Sequence, residues 1–138
     1  MARPLRIEYE NAFYHVIQRG IERRAIYRTD SDKEKFLKCI EESYEKYGSI
    51  CHSYCLMDNH YHLIVQTPQA NLKKIMHYIN TSYVVYYNKK HRRVGPLYQG
   101  RYRSILIEAE EYLNYLSKYI HLNPVRAKIV KSPEEYKW

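Results

Sequence analysis

The sequence predicts an α+β fold, an antiparallel sheet with helices on one face. Segments with period-2 hydrophobicity alternate with segments of helical period in the order β-α-β-β-α-β. The middle two strand segments are separated only by Asp58-Asn59, a tight-turn signal that makes them a hairpin. No repeat, linker or low-complexity stretch interrupts the pattern, so residues 1–138 read as a single domain.

Phe13 to Gln18 reads as the first strand, and an arginine-rich turn follows from Arg19 to Arg24. Ser31 with Glu34 three residues later is a capping box that opens a helix. Phe36, Leu37, Ile40, Tyr44 and Tyr47 recur at helical spacing, and Gly48 stops the helix. Ile50 to Met57 and His60 to Gln66 are the hairpin strands, and Pro68 ends the second.

Asn71 caps a second helix running to about Asn88, with Leu72, Ile75, Met76, Ile79, Tyr83 and Tyr86 on its buried side. A basic loop, Lys89 to Gly100, leads to a fourth strand from Arg101 to Ile107. Glu110 or Glu111 lies in the first turn of a third helix, where a carboxylate suits the helix dipole. Pro124 ends that helix near Asn123. The whole is the split-βαβ, ferredoxin-like pattern followed by a C-terminal helix that carries tyrosine.

The charge balance points to a polyanionic partner, nucleic acid before acidic membrane. Lys and Arg number 23 against 15 Asp and Glu, a net +8. Three cysteines without a framework argue against a secreted disulfide protein, and no apolar run approaches a membrane span. A cytoplasmic protein is expected. Tyrosine occurs 17 times against two Phe and one Trp. Such rings suit base stacking, and they also fill cores.

His60-Tyr61-His62 places two imidazoles at i and i+2 of a strand, on one face and about 7 Å apart at Cα. From there both can reach one divalent metal. The bland alternative is one packed and one solvated histidine. Cys51 and Cys55 lie about 13 Å apart along a strand, too far to share that metal, and read as small buried hydrophobes.

In the last helix Tyr119 and Asn123 are neighbours four residues apart. An amide oxygen is a hard ligand suited to Mg²⁺ or Mn²⁺. A phenol beside such a metal can attack a phosphodiester. Tyr112, Leu116, Tyr119 and Ile120 also form a core stripe, and by spacing alone Tyr115 is a credible rival for the nucleophile.

Several stretches, in order along the chain, resemble one family. They are Ala2-Arg3-Pro4-Leu5-Arg6, Tyr14-His15-Val16 with Arg19-Gly20, and Tyr54-Cys55-Leu56-Met57-Asp58-Asn59-His60-Tyr61-His62-Leu63. Gln99-Gly100-Arg101-Tyr102 and Tyr119-Ile120-His121-Leu122-Asn123-Pro124-Val125 continue the series. The chain resembles the Y1 (HUH) tyrosine transposases of the IS200/IS605 type, especially those associated with repetitive extragenic palindromes (REP). Asp58 departs from the family, which often has proline there. That changes the turn and not the ligands.

The resemblance implies that His60 and His62 hold a catalytic Mg²⁺ or Mn²⁺, that Tyr119 is the nucleophile, and that Asn123 reaches the metal. It implies cleavage and rejoining of single-stranded, hairpin-containing DNA through a 5′-phosphotyrosine. Relatives act as dimers or monomers, so a homodimer is one possible partner. From the residues themselves, Lys89, Lys90, Arg92, Arg93, Arg101 and Arg103, interleaved with Tyr98 and Tyr102, form a candidate single-strand surface. Arg19, Arg23 and Arg24 form a second patch. The usual fate of such a run is a solvated loop.

Two other functions fit the same features: a replication-initiator-like HUH nuclease, and a hairpin-binding module without catalysis.

Overall fold

The computed structural model describes residues 8, 10–108, 114 and 118. Strands β1 (Ala12–Arg19), β2 (Ile50–Met57), β3 (His60–Thr67) and β4 (Arg103–Ile107) form one sheet in the order β2-β3-β1-β4. All three pairings are antiparallel. Helices α1 (Asp30–Tyr47) and α2 (Leu72–Lys90) fill the two crossovers. This is the expected ferredoxin-like α+β arrangement.

Both helices pack on one face of the sheet. Tyr14 and Val16 of β1, Tyr61, Leu63 and Val65 of β3, and Leu56 of β2 are buried with Phe36 and Cys39 of α1. From α2, Leu72, Ile75, Met76, Ile79, Tyr83 and Tyr87 complete this core. Tyr14, Tyr61, Tyr83 and Tyr87 are therefore core residues, and three of their hydroxyls have identified partners. Tyr61 donates to Asn80 Oδ1 at 2.8 Å, Tyr83 to the Ile26 carbonyl and Tyr87 to the Ala25 carbonyl.

Three local readings are corrected. The capping box is Thr29 with Asp32, so α1 begins before Ser31. Asp32 wins because its carboxylate also takes Lys90 Nζ at 2.8 Å and His91 Nε2 at 2.9 Å, contacts that Glu34 does not make. The buried stripe of α1 is Asp32, Phe36, Cys39 and Ser43, while Tyr44 is 60% exposed. Ser43 tolerates burial because its hydroxyl donates to the Ile40 carbonyl and pairs with Ser49. The basic segment starts later than expected, since α2 carries Lys89 and Lys90 in its last turn, where cations suit the dipole.

A register shift between Cys51 and Ser53 interrupts the β2–β3 ladder. It sends Cys51 to the helix-side core and leaves Cys55 with the smaller cluster on the other face. That cluster, Cys55, Met57, Ile64 and Ile107 with Phe13 packed against it, lies beside the histidines. The expected tyrosine-bearing helix, with Tyr112, Tyr115, Tyr119 and Asn123, falls outside the described residues, apart from the exposed helical positions Asn114 and Lys118.

Candidate active site and nucleic-acid interface

The sheet register decides which side chains meet. Side chains directly opposite in a ladder share a face. In the β1–β3 pairing Ile17 lies opposite His62, and Arg19 opposite His60. The β1–β4 pairing sets Arg103 opposite Ile17, and the β2–β3 pairing sets Cys55 opposite His62. His15, His60, His62, Arg19 and Arg103 therefore occupy the face away from the helices.

The His60 and His62 rings are 5.1 Å apart at an edge-to-face angle of 79°. Each ring has its Nδ1 engaged. His60 Nδ1 donates to Asn59 Oδ1 at 2.8 Å. The Asn59 amide is oriented by its own Nδ2 donating to the Arg23 carbonyl at 3.5 Å, which turns the oxygen towards the histidine. His62 Nδ1 lies 3.0 Å from His15 Nε2. His60 Nδ1 faces an oxygen that only accepts, so it carries the hydrogen and the lone pair sits on Nε2, the arrangement common in metal-ligating histidine; His62 takes the same form in the tautomer that donates from Nδ1 to His15.

Electrostatics favour the same neutral form. Burial, reinforced by His60, His15 and Arg19, holds His62 down to about 3. Burial and then Arg19 lower His60, and burial and then Arg103 lower His15. Neutral imidazoles beside fixed cations suit a site for a metal ion and a phosphate. Among the described residues no third His, Cys, Asp or Glu completes a metal-binding group with this pair.

His15 is the member of this cluster that sequence reasoning left out. It sits 47 positions from His62, and only the β1–β3 register brings them together. Tyr14-His15-Val16 was a visible motif, but nothing in the local pattern assigned the imidazole a task.

The candidate cations divide. Arg19, Arg101 and Arg103 are exposed and line one groove with Ile17, Gln18 and Gln99 on the histidine side. Arg23, Arg24, Lys89 and Arg92 are exposed elsewhere, Arg24 with Glu22 3.4 Å away. Lys90 and Arg93 have structural work. Lys90 pairs with buried Asp32 and donates to Thr29 Oγ1. Arg93 donates to the Pro96 carbonyl at 2.8 Å and to Asn88 Oδ1 at 3.2 Å, bracing the turn after α2. Tyr98 lies half-buried with its ring edge-on to Tyr61. No helix among the described residues is long and apolar enough to cross a membrane.

A family model for IS200-like transposases matches residues 8–123. The structure of a REP-associated tyrosine transposase bound to a REP hairpin is similar with a TM-score of 0.84 and 15% identity, covering 100% of this chain and 81% of that one. A protein described as a candidate transposase from Deinococcus radiodurans R1 is similar with a TM-score of 0.58 and 14% identity, covering 86% of this chain and 95% of the other. At these identities the likeness is one of fold. No curated protein matches by sequence.

Proposed function

This chain belongs to the IS200-like transposase family, and on that premise we propose that it binds hairpin-bearing single-stranded DNA and cleaves and rejoins it through tyrosine. The observation that carries the reading is the paired commitment of His60 Nδ1 to Asn59 and His62 Nδ1 to His15 on the face that also bears Arg19 and Arg103. A structural relative is bound to a REP hairpin, which supports the choice of DNA partner.

His60 and His62 are the residues that would hold Mg²⁺ or Mn²⁺, with Asn123 as the third donor. When bound, the ion supplies Lewis-acid polarisation of a phosphate and charge stabilisation at the departing oxygen. Arg19 and Arg103 supply fixed positive charge for the flanking phosphates. By the register, none of the tyrosines within the four strands shares the histidine face; Tyr14, Tyr54 and Tyr61 belong to the helix-side core. Tyr119 is the nucleophile proposed, as the family resemblance implies.

The Tyr119 oxygen forms a bond to phosphorus, the bond to the 3′ oxygen breaks, and that oxygen leaves with its electron pair and gains a proton. The phenol proton passes to solvent. The energy of the broken ester is kept in the 5′-phosphotyrosine, so attack by another 3′-OH reverses the step without ATP.

The test is incubation of the protein with labelled single-stranded hairpin DNA, with Mn²⁺ or EDTA, followed by a denaturing gel. A metal-dependent covalent band that vanishes in Tyr119→Phe is the expected result. A band that survives Tyr119→Phe and vanishes in Tyr115→Phe moves the nucleophile by one turn. Tight hairpin binding with no adduct under any condition would leave only a binding module.

A further inference from the structure

The segment between β1 and α1, residues 20–27, is a strap tied to its neighbours by backbone and tyrosine bonds. Towards the β2–β3 turn, the Gly20 N–H donates to the Asn59 carbonyl at 2.9 Å, and the Ile26 N–H donates to the Asp58 carbonyl at 2.7 Å. Towards α2, the Ile26 and Ala25 carbonyls accept from the Tyr83 and Tyr87 hydroxyls. The Ile21 N–H donates to the Leu97 carbonyl at 2.8 Å. Ile26 and Tyr27 are buried, while residues 22–25 are exposed.

Inside this strap Glu22 and Arg23 both have positive φ, 54° and 59°. That conformation is unfavourable for a residue with a Cβ. Two such residues in succession persist only where their surroundings impose them, and strained backbone of this kind gathers at functional sites. The turn is closed by the Arg23 N–H donating to the Gly20 carbonyl at 3.1 Å and the Arg24 N–H donating to the Ile21 carbonyl at 2.9 Å. Its product is the direction of one carbonyl. The Arg23 oxygen accepts from Asn59 Nδ2 at 3.5 Å, and Asn59 Oδ1 accepts from His60 Nδ1 at 2.8 Å. An amide has one donating and one accepting end, so holding the nitrogen fixes the oxygen. A carboxylate at position 59 would accept from His60 but would stand against the Arg23 carbonyl. The amide satisfies both.

We propose that Asn59 is a positioning residue for His60, and that the left-handed turn at Glu22 and Arg23 aims it. The inference rests on the reading of His60 as a metal ligand. The relay from Arg23 carbonyl to Asn59 amide to His60 imidazole keeps the ring hydrogen on Nδ1 and turns Nε2 to the metal. His62 has a different neighbour at its Nδ1, His15 of β1, so the two histidines are braced from separate parts of the chain.

The test is titration of Mn²⁺ into the DNA-free protein, with the unbound ion followed by electron paramagnetic resonance well below the melting temperature of each variant. Asn59→Ala is expected to weaken Mn²⁺ binding by about 10- to 100-fold, the usual cost of losing the group that holds a ligating histidine. Glu22→Gly and Glu22→Pro remove the same carboxylate and differ in backbone. Glycine takes positive φ freely, so Glu22→Gly should bind Mn²⁺ as the unaltered protein does. Proline holds φ near about −65°, so Glu22→Pro should bind as weakly as Asn59→Ala, and the double variant no more weakly than either. In the metal-free protein, nitrogen NMR shifts should place the His60 hydrogen on Nδ1, and that preference should be lost in Asn59→Ala. Equal Mn²⁺ affinity in Asn59→Ala and the unaltered protein, or a His60 hydrogen on Nε2 in the unaltered protein, would overturn the inference. Asn59→Ala decides the matter if Glu22→Pro does not fold. Failure of the unaltered protein to bind Mn²⁺ would remove the metal reading along with the role of Asn59, whereas binding that ignores Asn59→Ala removes the role of Asn59 alone.

Discussion

His15 Nε2 lies 3.0 Å from His62 Nδ1, and the two rings are nearly parallel at 26°. β1 thus supplies the partner that orients a histidine of β3. A histidine that ligates through Nε2 commonly has Nδ1 held by another group, and loss of that group typically costs about 10- to 100-fold in metal affinity or activity. His15→Ala should raise the Mn²⁺ concentration needed for half-maximal adduct formation by at least about tenfold. Hairpin affinity measured in EDTA should stay unchanged. An unaltered metal requirement would show that His15 does not position His62.

Asp32 is the buried hub between the helices. Burial alone would raise its pKa, but hydrogen bonds from Lys90, the Arg28 backbone N–H, His91 and Tyr86 together hold it well below the ordinary carboxylate range. Asp32→Asn should cost about 3 kcal/mol in urea unfolding at pH 7, the scale for removing one member of a buried charged network. The folded pKa is depressed, so this contribution is complete above the unfolded value of 3.8 and is lost as pH falls below it. The gap between the two proteins should therefore begin to narrow below about pH 4 and go on narrowing towards the depressed folded value. A constant gap down to pH 2 would assign Asp32 a neutral hydrogen-bonding role.

Much of this was legible in the residues, and the rest depended on long-range partners. Alternation and turn chemistry place the hairpin strands at Ile50 and His60 because those signals are local. The choice between the Thr29 and Ser31 caps is not local, since both fit the same spacing and the deciding contact to Lys90 comes from 58 residues away. The bulge beside Cys51 leaves no mark in a period-2 pattern. Seventeen tyrosines suggested either a wet surface or a core. Tyr14, Tyr61, Tyr83 and Tyr87 answer for the core because carbonyl and amide partners lie within reach of buried hydroxyls, as at Tyr61, Tyr83 and Tyr87. Charge count alone did not separate Arg103, facing the histidines, from Arg93, tied to its own turn.

Gly20 is required for space. A Cβ there would stand 2.1 Å from the Arg24 carbonyl oxygen and 3.0 Å from Ile26 Cγ2. Its N–H donates to the Asn59 carbonyl at 2.9 Å, beside the residue that orients His60. Gly20→Ala should destabilise the fold by about 1–3 kcal/mol, the usual cost of overpacking. It should also impair metal-dependent cleavage more than Gly95→Ala, where nothing lies within 4 Å of the added carbon and the cost is the backbone strain of a φ of +96°. Cleavage equal to that of Gly95→Ala, together with an unaltered melting temperature in Gly20→Ala, would contradict the close approach.

The two kinds of cation should fail differently. Arg19 and Arg103 are exposed on the histidine side and have phosphates as their proposed partners. Replacing either with Ala should weaken binding to hairpins of any sequence and reduce the slope of log affinity against log salt by about one. The melting temperature should hardly move, since neither residue braces a turn or a helix end. Lys90→Ala should do the reverse, because it strips Asp32 of the 2.8 Å contact and leaves a buried carboxylate short of a partner. Its salt slope should match that of the unaltered protein while its melting temperature falls. A Lys90→Ala protein that melts normally but loses one unit of salt slope would move Lys90 to the DNA surface and leave the α1–α2 junction without its proposed clamp.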